Sequence, residues 1–179
     1  MNWFTSDFHF CHDREFVWQA RGYSSVEDMN EDLIRKFNSK VKPTDDVYIL
    51  GDLVLNNNKV GLECVGRLNG KLHIICGNHD TQVRRKAYEK CKNVVEVVDA
   101  KFLKVRHQMY FLSHFPTLCG NGDESKPLTS RVINLCGHAH AKEWDSDMDK
   151  GLIFHVEVDA HDGYPVSEVE IRERLNNEL

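Results

Sequence analysis

Val47-Tyr48-Ile49-Leu50-Gly51-Asp52 is an apolar run that ends in a glycine and a carboxylate. The run predicts a buried β-strand, and the glycine favours a sharp exit from it, because glycine tolerates dihedrals that other residues avoid. The stretch Leu72–Cys76 repeats this pattern and ends in Gly77-Asn78-His79-Asp80. In layered α/β folds, ligands bind at the carboxyl ends of strands. The two stretches therefore predict an α/β fold whose polar residues converge where its strands end.

The sequence on either side alternates short β-type runs with longer helical patterns, which is typical of an α/β domain. Asn2–Ser6 is predicted as the first strand. Ser24-Ser25-Val26-Glu27 resembles a capping box, and apolar residues at helical spacing extend the following helix to about Lys40. A second capping box places the start of the last helix at Ser167. The other predicted elements are strands at 94–98, 102–106, 109–113, 132–136 and 152–158, and helices at 60–68 and 82–91.

Length and composition favour a single domain over residues 1–179. With 179 residues, 41% hydrophobic and 28% charged, the chain is long enough for a substantial core and too short for two typical domains. Its apolar runs are too short to span a bilayer, so no membrane association is predicted. The N-terminus lacks a basic region followed by an apolar core, and six irregularly spaced cysteines favour reduced thiols. These features together predict a cytoplasmic protein.

Three further motifs supply potential metal ligands: Asp7-Phe8-His9, Ser113-His114 and Gly137-His138-Ala139-His140. Each follows a predicted strand, as Asp52 and Asn78 do. Carboxylate, amide oxygen and imidazole together suit divalent ions such as Mn, Fe, Zn or Ni. A carboxylate can bridge two ions, and a pair about 3.5–4 Å apart can activate a shared hydroxide during displacement at phosphorus. The ligand types therefore predict a two-metal site suited to hydrolysis of a phosphate ester.

Taken in order, the five motifs D-x-H, G-D, G-N-H-D, a lone H and G-H-x-H resemble the pattern of the calcineurin-like metallophosphoesterase superfamily. They span residues 7 to 140. Their surroundings, such as Ser6-Asp7-Phe8-His9-Phe10-Cys11-His12, look like those of its small bacterial and phage members. The resemblance implies a four-layer α/β/β/α sandwich of two mixed sheets.

The resemblance also implies a role for each motif residue. Asp52 is the implied bridge between two ions. His79 is implied to approach the scissile phosphate, where it stabilises charge or protonates the leaving oxygen, and Asp80 to orient the His79 imidazole. The implied ligands are Asp7, His9, Asp52 and His140 for the first ion, and Asp52, Asn78, His114 and His138 for the second.

Two residues outside the ligand set are candidates for substrate contact. His12 lies one turn or loop beyond His9 and faces either substrate or solvent, and Arg21 could grip a phosphate through bidentate geometry. Substrate choice is expected to depend on the loops around the site, at residues 10–22, 54–59 and 116–131. The histidines predicted to be structural are His73, His107, His155 and His161.

The leading functional hypothesis is a metal-dependent phosphoesterase in which a metal-bridging hydroxide directly attacks a phosphomonoester or phosphodiester. The expected substrate is a small phosphate ester or a nucleotide. A nuclease or cyclic-nucleotide phosphodiesterase is the alternative within the enzyme class, although a formal net charge of −5 argues weakly against tight nucleic-acid binding. The alternative from another class is a metal-binding interaction scaffold. A scaffold can lose ligands or the catalytic histidine, whereas this chain retains them all, including His79. The native metal and the oligomeric state are left open.

Overall fold

The computed structural model describes residues 1–119, 126–127 and 130–178, so part of the predicted loop at 116–131 lies outside the described residues. The strands form two mixed sheets, as the motif pattern implies. In chain order the elements are β1 (Asn2–Thr5), α1 (Glu15–Trp18), α2 (Val26–Lys40), β2 (Asp46–Leu50), α3 (Asn58–Gly66), β3 (Lys71–Ile75), α4 (Gln82–Tyr88), β4 (Val94–Val98), β5 (Ala100–Val105), β6 (Gln108–Ser113), β7 (Val132–Cys136), α5 (Met148–Gly151), β8 (Ile153–His155), β9 (Val166–Ser167) and α6 (Glu168–Glu178).

The first sheet has the strand order β4-β3-β2-β1-β9. Strands β1 to β4 are parallel, with Phe4 opposite Tyr48 and Tyr48 opposite His73, whereas β9 runs antiparallel to β1. The run Val47–Leu50 forms a buried central strand, as its sequence predicts. A strand covered on both faces is apolar throughout rather than alternating, which explains this run. Parallel pairing places the carboxyl ends of β1, β2 and β3 at the same edge.

The second sheet has the strand order β5-β6-β7-β8. Strands β5 and β6 form an antiparallel hairpin, while β6, β7 and β8 are parallel. Strand β8 is shorter than predicted, because the expected strand at 152–158 ends at His155. Beyond it, Val158 N donates to Ser6 O at 3.2 Å, so the chain has crossed from the second sheet to the first.

Two apolar clusters hold these layers together. Successive side chains of a strand point to opposite faces of the sheet. Val47 and Ile49 accordingly pack in a cluster with α2, α3 and α4, whereas Tyr48 and Leu50 pack in a second cluster between the two sheets. Helix α6 contributes Ile171 to the second cluster. The order of layers is therefore helices, first sheet and second sheet, with the strand ends left open for a site.

The two capped helices begin where the sequence predicts. Ser25 Oγ accepts a hydrogen bond from Asp28 N at 3.0 Å at the start of α2. At α6, Glu170 N donates to Ser167 Oγ at 3.2 Å and Ser167 N donates to Glu170 Oε2 at 2.8 Å, which is a reciprocal capping box. Within the described ranges, none of the helices has both the length and the apolar character needed to cross a membrane.

Candidate metal centre

Polar side chains from both sheets meet where the parallel strands end. Asp7 follows β1, Asp52 follows β2 and His114 follows β6. Asp7 N donates to Gly51 O at 3.0 Å, which holds the ends of β1 and β2 together. His138 N donates to Asp7 Oδ2 at 3.0 Å and so joins the second sheet to the first. These backbone contacts gather the strand ends of both sheets into one site.

Two groups of side chains place their ligand atoms within 4.8 Å of one another. The first group is Asp7, His9 and His140, and the second is Asp7, Asp52 and His114. Both carboxylates are buried, as are His9 and His114, whereas His140 is exposed. The site therefore has buried carboxylates at its base and an exposed imidazole at its edge.

Asp52 belongs to the second group and also faces a histidine of the first. Its Oδ2 is 3.8 Å from His9 Nε2 and 3.5 Å from His114 Nε2. Its Oδ1 accepts a hydrogen bond from His79 N at 2.9 Å. One oxygen is thus held by the backbone, while the other faces a histidine of each group, as a shared ligand would. The amide oxygen of Asn78 also reaches this point, 2.9 Å from His114 Nε2.

In two of the site histidines, Nδ1 is hydrogen-bonded to another group of the protein. His114 Nδ1 lies 2.8 Å from Leu50 O, and because a carbonyl only accepts, Nδ1 carries the proton. His140 Nδ1 lies 2.9 Å from Asp159 Oδ2, while its Nε2 is 3.8 Å from Asp7 Oδ1. Metal-binding histidines commonly donate their other N–H to a carbonyl or carboxylate in this way. Both rings therefore turn Nε2 towards the buried carboxylates.

Asp159 is a site residue that no sequence motif marks. Its carboxylate accepts hydrogen bonds from Arg21 Nε at 3.1 Å and Arg21 Nη2 at 2.8 Å, in addition to its contact with His140. Burial alone would raise the pKa of Asp159, but the bonds with His140 and Arg21 outweigh burial and hold that pKa well below its ordinary range. The carboxylate is therefore ionised and can orient His140. The single signal for Asp159 in the sequence is its position directly after the predicted strand at 152–158.

Arg21 is tied into the protein rather than directed at a substrate. Besides Asp159, its guanidinium donates to Phe8 O at 3.1 Å and to Asp7 O at 2.8 Å, and its side chain is 7% exposed. These bonds use the donors that a bidentate phosphate contact would require. The predicted substrate contact of Arg21 therefore does not fit this geometry. Arg21 instead positions the loop that carries Asp7.

Asp80 holds the backbone around the site. Its Oδ2 accepts from Gly77 N at 2.8 Å and from Asp52 N at 2.9 Å, and its Oδ1 accepts from Tyr88 OH at 2.8 Å. None of the contacts recorded over the described residues joins this carboxylate to the His79 imidazole. The expected role of Asp80 in orienting that ring therefore does not fit. The carboxylate instead joins the ends of β2 and β3 to α4.

His79 and His12 present imidazoles beside the two groups. The His79 side chain is 47% exposed, and its Nε2 lies 3.8 Å from Asp52 Oδ2. The His12 ring stacks on the His9 ring with centroids 5.4 Å apart. Burial and then the neighbouring His9 and His79 lower the pKa of His12 to about 4, so its ring is neutral at pH 7. Both rings border the space in front of the carboxylates.

The backbone is strained at several ligand positions. Left-handed φ angles are uncommon for residues other than glycine, cost about 1–3 kcal/mol each, and cluster at functional sites. At Gly51, where φ is 92°, an added Cβ would meet His114 Nδ1 and the backbone of Gly77. The strain is therefore an independent sign of a functional site. Among the residues that the motif pattern implies as ligands, those with positive φ are Asp7 (57°), His9 (52°), Asp52 (53°), His138 (73°) and His140 (49°).

The residues present fit a divalent metal ion. Over the described residues, Asp7 Oδ1 and both ring nitrogens of His9 are buried without a hydrogen-bond partner. Such an unpaired group costs about 1–3 kcal/mol unless something satisfies it. Asp7 Oδ1 and His9 Nε2 are 3.6 Å apart, which is near the separation of about 3 Å expected for neighbouring ligands of one ion with bonds of about 2.1 Å. A cation between them would satisfy both atoms.

Other histidines have partners away from this site. His73 Nδ1 lies 2.6 Å from Glu96 Oε1 at the surface of the first sheet. His155 is fully buried, and its Nδ1 lies 3.0 Å from Glu157 Oε1. These contacts agree with the structural roles that the sequence predicts for both histidines.

Comparison with known proteins identifies a family and several relatives. The model of the calcineurin-like phosphoesterase superfamily domain matches residues 3–156. The uncharacterized protein MJ1445 of Methanocaldococcus jannaschii is 35% identical over 142 residues, which cover 78% of this chain and 69% of that protein. The gene 66 protein of Mycobacterium phage D29 is 30% identical over an alignment that covers 98% of this chain and 96% of the phage protein. The solved structure of AQ665 from Aquifex aeolicus, a protein of unknown function, shares the fold, with a TM-score of 0.74, 22% identity and coverage of 97% and 98%.

Proposed function

The chain belongs to the calcineurin-like phosphoesterase superfamily, and we propose that it hydrolyses a phosphomonoester or phosphodiester with two divalent ions. The observation that carries this proposal is the Asp52 carboxylate, whose Oδ2 faces His9 of one ligand group and His114 of the other. When bound, the two ions would acidify a water molecule and offset charge on the phosphoryl oxygens.

The two groups of side chains share Asp7, and the proposed ligand sets add to them the residues that the motif pattern implies. Asp52 is shared, because its free oxygen is turned to both groups while its other oxygen is held by His79 N. Carboxylate, imidazole and amide oxygen together accommodate Mn, Fe, Zn or Ni. The ligands proposed for the first ion are Asp7, His9, Asp52 and His140, and those for the second are Asp52, Asn78, His114 and His138.

His79 acts on the substrate. Its imidazole is exposed, next to Asp52 Oδ2, and its backbone N–H is fixed on Asp52 Oδ1. The ring can therefore donate a hydrogen bond to a phosphate oxygen and give a proton to the leaving oxygen. Asp80 keeps the loop that carries His79 in place through its bonds to the backbone of Gly77 and Asp52. Asp80 is thus a positioning residue.

Metal content and hydrolysis measured together test this proposal. The protein is stripped with EDTA and reloaded with Mn²⁺, Fe²⁺, Zn²⁺ or Ni²⁺, and each form is assayed with p-nitrophenyl phosphate and bis(p-nitrophenyl) phosphate. We expect two ions per chain and turnover with at least one metal. Folded, metal-loaded protein that hydrolyses neither compound would overturn the proposed activity, and a single ion per chain would overturn the shared ligand.

Three variants separate the roles of the residues. Asp52→Asn should lose metal, because the carboxylate that both groups face is neutralised. His79→Gln should keep both ions and lose about 100- to 10,000-fold in rate, the usual contribution of a general acid. His107→Gln, an exposed residue in the turn between β5 and β6, is the matched control and should change neither quantity. An unchanged rate in His79→Gln would contradict its assignment.

A further inference from the structure

Two exposed phenyl rings flank the candidate metal centre. The Phe16 side chain is 72% exposed, and its ring lies 5.8 Å from the ring of His12. Phe115 is 49% exposed, and its ring lies 4.6 Å from His138 and 5.1 Å from His114. We call Phe16 and Phe115 the aromatic rim. Each ring of the rim touches an imidazole that borders or belongs to the proposed ligand set.

The rim lies at the two ends of a continuous line of contacts through the site. From Phe16 the line runs to His12 and then to His9, whose Nε2 is 3.8 Å from Asp52 Oδ2. From Asp52 Oδ2 the line continues to His114 Nε2, 3.5 Å away, and the His114 ring contacts the ring of Phe115. A phosphate bound in front of Asp52 would therefore lie between the two phenyl rings along this line of contacts.

Phe115 is the better fixed of the two rings. Its carbonyl accepts hydrogen bonds from Ser113 Oγ at 2.8 Å and from Thr117 Oγ1 at 2.9 Å, which hold the backbone just after β6. Phe16 lies in α1, a helix of four residues with none of them buried. A pre-positioned group loses less freedom when it binds a ligand, so Phe115 should contribute more than Phe16.

We propose that the aromatic rim stacks on the base of a nucleotide whose phosphate lies at the metal centre. This inference rests on the function proposed above and adds the class of substrate. A flat base can stack on a phenyl ring with about 5- to 150-fold gain in affinity, whichever base it is. The net charge of −5 gives little help in neutralising many phosphates, which favours a mononucleotide over a long strand.

Calorimetric titration of Mn²⁺-loaded protein tests the rim. The two ligands are uridine 5′-monophosphate and ribose 5-phosphate, which carry the same ribose and phosphate, whereas only the first carries a base. The measurement is made in the His79→Gln background, so that binding is read while turnover is slowed about 100- to 10,000-fold. We expect the nucleotide to bind at least about fivefold more tightly, which corresponds to one weakly stacked base. Equal affinities would overturn the inference.

Substitutions then show which ring is responsible for the preference for the nucleotide. Phe115→Leu keeps an apolar side chain but removes the flat ring, and should reduce the preference for the nucleotide by about 5- to 150-fold; Phe115→Tyr should retain it. Phe16→Leu should have a smaller effect. Phe102→Leu, on β5 and 65% exposed, is the matched control and should have none.

These experiments distinguish a failure of the rim inference from a failure of the proposed function. If the nucleotide preference is present but unchanged in both Phe115→Leu and Phe16→Leu, the rim does not bind the base, and the inference is overturned. If the unsubstituted protein hydrolyses the p-nitrophenyl compounds, yet its His79→Gln form binds the nucleotide and the sugar phosphate equally, the phosphoesterase proposal stands and the rim inference fails. If hydrolysis is absent from metal-loaded protein, the proposed function itself fails.

Discussion

Replacing Asp159 with asparagine should weaken metal binding, although Asp159 is not a proposed ligand. Its Oδ2 lies 2.9 Å from His140 Nδ1, and asparagine keeps the size of the side chain while removing its charge. A hydrogen bond to a charged group contributes about 1.5–3 kcal/mol. Loss of such a partner of a ligating histidine lowers metal affinity about 10- to 100-fold. These two magnitudes agree, because each tenfold change corresponds to about 1.4 kcal/mol.

The same substitution also lowers the stability of the metal-free protein. It leaves the buried guanidinium of Arg21 facing an uncharged partner. Removing one member of a buried pair costs about 3–5 kcal/mol. Arg21 retains its bonds to the carbonyls of Phe8 and Asp7, so we expect a loss near the lower end, about 3 kcal/mol. Urea unfolding in the presence of EDTA measures this loss separately from metal affinity.

The assay of metal affinity is calorimetric titration of Mn²⁺ into metal-free protein, with Lys142→Met as the matched control. Lys142 Nζ lies 3.2 Å from the same Asp159 carboxylate, but its side chain is 66% exposed. An exposed ion pair contributes about 0–1 kcal/mol, so this control should bind Mn²⁺ as the unsubstituted protein does. Equal Mn²⁺ affinity of folded Asp159→Asn and unsubstituted protein would refute the argument that Asp159 orients His140.

Three further predictions concern stability. Tyr88→Phe removes a hydroxyl that donates to the buried carboxylate joining β2 to β3, so the urea unfolding free energy should fall by about 1–3 kcal/mol; no change would contradict that contact. Gly51→Ala places a Cβ at a φ of 92° against a site imidazole, and should lower the unfolding free energy by more than about 1 kcal/mol and weaken Mn²⁺ binding in titrations. Burial would lower the pKa of His155, but Glu157 and Asp147 outweigh burial and raise that pKa above 6.5. The stability that the protonated ring contributes is therefore complete below pH 6.5 and lost as the pH rises through the raised pKa. Urea midpoints measured against pH should show this loss, and His155→Gln should flatten it.

Several elements, and the placement of candidate ligands at the strand ends, could be predicted because their signals are local. The run Val47–Leu50 is apolar throughout since it is buried on both faces, and its glycine and carboxylate mark the strand end. Ser25 and Ser167 mark the starts of α2 and α6, because each side chain accepts a hydrogen bond from the backbone N–H of the third residue of its helix. Such features depend on a few neighbouring residues, and a single sequence contains them in full.

The supporting contacts could not be predicted because they join distant segments. Arg21 and Asp159 are 138 residues apart, and neither lies in a motif. Asp80 shows the converse difficulty: the motif resemblance implies that it orients the ring of the adjacent His79. The carboxylate turns instead towards the backbone of β2 and the hydroxyl of Tyr88. Adjacent residues in a turn can point to different parts of the fold, and which part is decided by tertiary packing.

The supporting contacts share one role, which is to stabilise the strained backbone of the site. A left-handed residue costs about 1–3 kcal/mol and persists only where its surroundings fix it. Asp52 is held by a bond from its own N to Asp80, and Asp7 by a bond from Arg21 to its carbonyl. His138 is held by a bond from its N to Asp7 Oδ2. Asp80 and Arg21, which are not proposed to bind metal, therefore hold the peptides of Asp52 and Asp7, which are, so removing either charge should weaken metal binding with every ligand still in place.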